Sequence, residues 1–130
     1  FRVRRQIIAQ RYTEEFRQIN EIEPPPDDFV NRIHSWHLYS LRLNLDLLTI
    51  DRTIFIDKLK ELGVSCSVHW MPLHLHQYYR QTFGLGEGLF PVAEYEWRRL
   101  VSLPIYPSMT DHEVDYVIEV VSKTIQRFAR

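Results

Sequence analysis

Cysteine is nearly missing: Cys66 is the only one in 130 residues. A single thiol excludes an internal disulfide and a cysteine-based metal cluster, and it fits a reduced, cytoplasmic setting. Long apolar runs are missing as well, so no membrane-spanning helix is expected, and no secretory leader pattern opens the chain. Neither sign of charge dominates. Sixteen Lys and Arg against 17 Asp and Glu leave a formal charge of −1, which provides no field for nucleic acid or anionic lipid. Glycine is scarce. Gly84, Gly86 and Gly88 are not followed by the Lys-Ser/Thr of a phosphate-cradling loop, and no Gly-x-Ser-x-Gly elbow occurs. Lys58, Lys60 and Lys123 sit on amphipathic helical patterns, so none reads as a desolvated Schiff-base lysine. The chain opens on Phe1 rather than Met, as a piece of something longer would.

Against these gaps stands an apolar content of 45% and an aromatic content of 13%, which suits one domain with a real core or a large interface. Val3, Ile7, Ile8, Tyr12, Phe16 and Ile19 recur at steps of three and four and predict a helix over residues 2–19. Arg4, Arg5, Gln10, Arg11, Glu14 and Gln18 form its solvated face. Pro24-Pro25-Pro26 cannot continue a helix, so residues 20–29 read as an extended linker and the first helix as standing apart. Residues 36–45 alternate as a strand, with Tyr39, Leu41, Leu43 and Leu45 inward and Trp36, Leu38, Ser40, Arg42 and Asn44 outward. Asp51 caps a helix whose stripe is Ile54, Phe55, Leu59 and Leu62, and Gly63 ends it. Residues 64–70 alternate as a half-buried strand, with Cys66 on its apolar side. A short helical segment within residues 73–83, a glycine loop, a helix from Pro91 to Arg99 and a short strand at residues 100–103 follow. Thr110 and Glu113 match a capping box before a last stripe of Val114, Val117, Ile118, Val121, Ile125 and Phe128. The pattern predicts an α+β fold: a small, mostly antiparallel sheet of about three strands, with helices packed on one face, preceded by a long linking helix.

Chemistry-bearing residues concentrate in His69-Trp70-Met71-Pro72-Leu73-His74-Leu75-His76. An imidazole can donate, accept or ligate near neutral pH. A metal reading would join His69, His74 and His76, but no carboxylate accompanies them in the segment. A substrate-contact reading needs one imidazole at a cleft mouth. The plainest reading, histidines on a surface loop, is favoured by the chemistry alone. Arg42 could grip an anion, although pairing with a neighbouring acid or reaching solvent is the commoner outcome. Of Tyr78 and Tyr79, one packed and one exposed is expected. His34 and His37 bracket Trp36 in a packing role.

Taken in order, four pieces resemble the C-terminal part of the DegT/DnrJ/StrS sugar aminotransferases. They are the opening helix from Arg5 to Tyr12; His37-Leu38-Tyr39-Ser40-Leu41-Arg42; Gly63-Val64 with the histidine segment and Tyr78-Tyr79; and Phe90-Pro91-Val92-Ala93-Glu94 with Ser102-Leu103-Pro104-Ile105-Tyr106-Pro107-Ser108-Met109-Thr110. The match covers essentially the whole chain; Trp70 stands where relatives often carry Tyr or Phe. The resemblance implies residues 1–20 as a linking helix from a missing N-terminal large domain and residues 21–130 as a C-terminal small domain. It implies a full-length enzyme that uses pyridoxal phosphate to move an amino group, commonly from glutamate, to a keto group of a nucleotide-linked sugar, as a homo-oligomer. His74 would face the substrate, His69 would support the cleft wall, and Tyr78 or Tyr79 would rim it. No catalytic, cofactor-binding or metal-binding residue is expected in this chain, which would be inactive alone and hold no cofactor. A non-catalytic binding or assembly module on the same scaffold is the alternative, and some relatives act as dehydratases or regulators.

Overall fold

A computed structural model describes residues 1–27 and 30–130. The elements run α1 (Arg2–Phe16), β1 (Ile22–Glu23), β2 (Tyr39–Leu43), α2 (Arg52–Glu61), α3 (Gln77–Phe83), α4 (Pro91–Arg99), β3 (Leu100–Leu103) and α5 (Asp111–Phe128). Two single turns of 3₁₀ helix, Leu45–Leu47 and Leu73–Leu75, interrupt the loops. The three strands form one antiparallel sheet in the order β1-β2-β3. This is the expected α+β class.

Cross-strand partners fix the two sheet faces. Leu41 faces Val101, Tyr39 faces Leu103, and Ile22 faces Leu43. All six are buried, and Ile8, Tyr12 and Phe16 of α1, Phe55 and Leu59 of α2, and Val114, Val117, Val121 and Ile125 of α5 pack with them. The other face pairs Ser40 with Ser102 and Arg42 with both Glu23 and Leu100. There Arg42 bonds Glu23 at 2.7 Å and Glu96 of α4 at 3.0 Å, while Arg99 bonds the same two acids at 3.0 and 2.7 Å. Arg42 therefore pairs with acids, one of the two commoner outcomes named for it. Helix α4 adds no side chain to the apolar cluster; its buried residue is Glu94.

The local chemistry explains the element ends. Asp51 accepts from the Ile54 N–H at 2.9 Å, satisfying a donor that the first turn of a helix cannot pair. Gly63 takes φ +80° after α2, a conformation that only glycine adopts freely. Thr110 and Glu113 exchange backbone hydrogen bonds at 3.2 and 2.7 Å, completing the expected capping box.

Several expectations are corrected. The first helix does not stand apart: Ile8, Ala9, Tyr12 and Phe16 are fully buried and α1 packs on α5. Its buried edge starts at Ile8, leaving Val3 and Ile7 exposed. Arg4 and Arg11, expected in solvent, reach Asp111 at 2.8 and 3.5 Å, and Arg11 also pairs with Asp115. The stretch read as linker contains β1, whose pairing extends to a bond from the Asn44 N–H to the Glu21 carbonyl at 2.7 Å; positions 28 and 29 of it lie outside the described residues. Trp36 is buried rather than outward, because its φ of +49° breaks the alternation and stacks its ring on Tyr39 at 6.0 Å. Residues 64–70 form no strand. Only Ser67 pairs, through two bonds with Ser102 at 3.1 and 2.8 Å. On the C-terminal side, the next residue facing that edge is Pro104, which has no N–H to donate.

Candidate functional site

The histidine segment is pinned at both ends by polar contacts. At the first end, Ser67 hangs on Ser102 of β3 through backbone bonds, and His69 Nδ1 lies 2.9 Å from the Ser102 hydroxyl. The His69–Trp70 peptide bond is cis. At the second end, the turn Leu73–Leu75 carries His74 inward, where it is only 5% exposed. Its Nε2–H donates to Glu94 Oε1 at 2.9 Å, and the Phe90 ring covers it at 4.7 Å. His76 stays exposed and bonds the Met71 carbonyl at 3.2 Å, closing the turn on itself. The surface-loop reading therefore fits His76 and is corrected for His74.

Glu94 is the residue that sequence reasoning missed as a site member. It stands in the first turn of α4, where the exposed helix N–H groups favour a carboxylate. Its two oxygens accept the Gly88 N–H at 2.9 and 3.0 Å, and Oε1 also accepts the Phe90 N–H at 3.3 Å. The Gly88 amide first, then His74, hold its carboxyl below the usual carboxylate range. The usable signal was an acid following Phe-Pro at a helix start; nothing local pointed to its partner 20 positions earlier.

Outside these pins the segment is open. Trp70 is 75% exposed and Leu73 64%. Tyr78 is exposed and Tyr79 half-buried, their rings edge to face at 5.4 Å, and Tyr79 stacks on Phe83. That is the expected division between the two tyrosines. The structure thus gathers His69, His74 and Tyr78 along one connected stretch without bringing their polar atoms to one point. A hollow of about 480 Å³ opens between the turn, α3 and the glycine loop, lined by Leu75, Arg80 and Leu85 among others.

Several other titratable groups are held in structural contacts. Tyr12 donates to the Pro104 carbonyl at 2.9 Å and Tyr39 meets the Thr13 hydroxyl at 3.0 Å. Burial pushes both phenols well above their usual range, so neither exchanges protons near neutrality. Burial likewise pushes the Cys66 thiol up to about 12. Lys58 and Lys123 pair with Glu61 and Glu119 one helical turn away, and Lys60 is exposed. Among the described residues no three His, Cys, Asp or Glu converge as metal ligands, and no helix is long and apolar enough to cross a membrane.

A three-stranded antiparallel sheet covered by α1, α2 and α5, with α4 and a pinned histidine segment at its other side, defines the class: an α+β domain. Residues 1–122 match the model of the DegT/DnrJ/EryC1/StrS aminotransferase family, and the chain belongs to that family. It is 48% identical over 125 residues to the uncharacterised protein MJ1066 of Methanocaldococcus jannaschii, covering 95% of this chain and 32% of that one. It is 41% identical over 124 residues to the spore coat polysaccharide biosynthesis protein SpsC of Bacillus subtilis, with 95% and 32% covered. Among solved structures, the aminotransferase TlmJ of Streptoalloteichus hindustanus superposes with a TM-score of 0.85 at 26% identity, over 98% of this chain and 32% of that one. Spr1654 of Streptococcus pneumoniae, in its PLP form, gives 0.85 at 29% identity over 95% and 31%. The chain therefore spans about a third of the length of the relatives it matches.

Proposed function

We propose that the full-length protein is a pyridoxal-phosphate-dependent aminotransferase that transfers an amino group from glutamate to a keto group of a nucleotide-linked sugar, and that this chain is its C-terminal domain. The observation that carries the reading is the family match along residues 1–122, supported by the likeness to TlmJ and to the PLP form of Spr1654. The residues present do not fit the cofactor's anchor. A lysine that holds pyridoxal phosphate needs a desolvated, unpaired amine, whereas Lys58 and Lys123 sit in surface ion pairs and Lys60 is exposed on α2. The anchoring lysine belongs to the part of the protein outside this chain, and residues 1–20 lead from that part into residues 21–130. When bound there, the cofactor supplies the electron sink for the transfer.

This chain contributes a wall. Tyr78 and Trp70 present open ring faces to a sugar or phosphate group, Tyr79 backs Tyr78, and His69 and His74 hold the segment's orientation through Ser102 and Glu94. The active form is a homo-oligomer. Full-length protein with pyridoxal phosphate, L-glutamate and a panel of nucleotide-linked keto sugars is expected to release 2-oxoglutarate; no release with any sugar would sink the reading. In the same assay His74→Ala is expected to raise KM for the sugar about tenfold with a smaller change in kcat, and unchanged kinetics would remove His74 from the wall. The chain alone, mixed with pyridoxal phosphate, is expected to leave the absorbance of the free cofactor unaltered.

A further inference from the structure

We propose that Glu94 is a positioning residue that, through His74, locks the glycine loop and the histidine segment into one rigid wall. One carboxylate joins three backbone regions. It accepts from the Gly88 and Phe90 amides of the loop, receives His74 from the segment, and belongs itself to α4. Both side chains of the pair are 6% exposed. Arg98 is the nearest further cation, at 3.9 Å, too far for a hydrogen bond.

Burying a carboxylate and an imidazole gains little stability over burying two apolar side chains. A fully satisfied polar cluster selects a single arrangement instead, and no buried side-chain nitrogen or oxygen among the described residues lacks a partner. The surroundings need such a device. The loop carries Gly84 and Gly88 at φ +64° and +87°, and α3 has no buried residue to dock it. The other end of the segment is tied only by Ser67 and His69 to Ser102. Without the latch, the stretch from Trp70 to α3 would be tied at its first end alone, and Leu73 and Tyr78 would lose the anchor beside them. Their role as a substrate wall rests on the function proposed above; the latch itself does not.

The test is native-state amide exchange on the full-length protein. The Gly88 and Phe90 amides report the loop, and the Leu75 and His76 amides, bonded to Pro72 and Leu73 at 3.0 and 3.1 Å, report the segment. Glu94→Ala is expected to speed exchange at all four by about tenfold or more while amides of α5 keep their rates. Glu94→Gln, whose side chain can accept from Gly88 and donate to His74, is expected to restore protection to within about threefold. His74→Phe is expected to keep Gly88 and Phe90 slow while speeding Leu75 and His76. Unchanged segment exchange in His74→Phe overturns the proposal, even if Glu94→Ala cannot be folded. Acceleration spread equally through α5, with no rescue by Glu94→Gln, also overturns it. Failure of aminotransfer would sink the proposed function and leave the latch standing; failure of the exchange pattern would do the reverse.

Discussion

At the scale of single residues, burial decides reactivity. The Cys66 thiol is raised to about 12 by burial alone, so its nucleophilic form accumulates only as the pH climbs toward that value. Alkylation by iodoacetamide at pH 8, followed by mass, is expected to run at least about a hundredfold slower than for a free thiol; a rate near that of a small thiol would mean the site opens. Cys66 packs against the core, on the side where the alternation of residues 64–70 placed it, but the segment is no strand and Trp70, expected on that same side, is exposed. His74 was not legible in the same way. Its burial depends on Glu94, 20 positions later, and no local pattern carries such a pairing. The family resemblance singled out His74 by position, without the acid that fixes it. Arg42 is the intermediate case: an acid partner or solvent was expected, and it is the register of β1 on β2 that brings Glu23 and the packing of α4 that brings Glu96.

At the scale of elements, caps and periodicity were readable and edges were not. The ends of α2, α4 and α5 were marked by Asp51, by Pro91 and by Thr110 with Glu113, each acting within one turn of itself. Asp51→Ala is expected to cost about 1 kcal/mol in chemical denaturation. The Glu113 carboxyl is held below its usual range, first by the Thr110 amide. The box therefore stabilises α5 fully above the ordinary glutamate pKa, and that contribution fades as the pH falls through the depressed value. The stability difference between the parent and Glu113→Ala is expected to shrink in acid; a constant difference from neutral to acid pH would contradict this. Strand β1 was invisible because two residues, Ile22 and Glu23, give no period. Residues 64–70 had the period but not the partner: they make one bridge, to Ser102, and no ladder.

At the scale of the whole molecule, one apolar cluster joins the first helix to the last. Leu41 lies fully buried in the central strand, and Leu41→Ala is expected to cost about 2–5 kcal/mol in chemical denaturation. On the outside, Trp70, Leu73, Tyr78, Phe83, Val92 and Tyr95 remain exposed, large apolar side chains of the kind that favour association. The chain by itself is expected to self-associate through them, and a single monomeric species in sedimentation at high concentration would argue otherwise. The sheet, meanwhile, holds its helices by two unlike forces, apolar packing on the side of α1, α2 and α5 and an ionic lattice of Arg42, Arg99, Glu23 and Glu96 on the side of α4. Sodium chloride screens the second and barely touches the first, whereas ammonium sulfate also tightens the first by being excluded from protein surface. The composition of a buffer therefore tunes how firmly α4, and the carboxylate it carries, sits on the rest of the molecule, with no substitution at all.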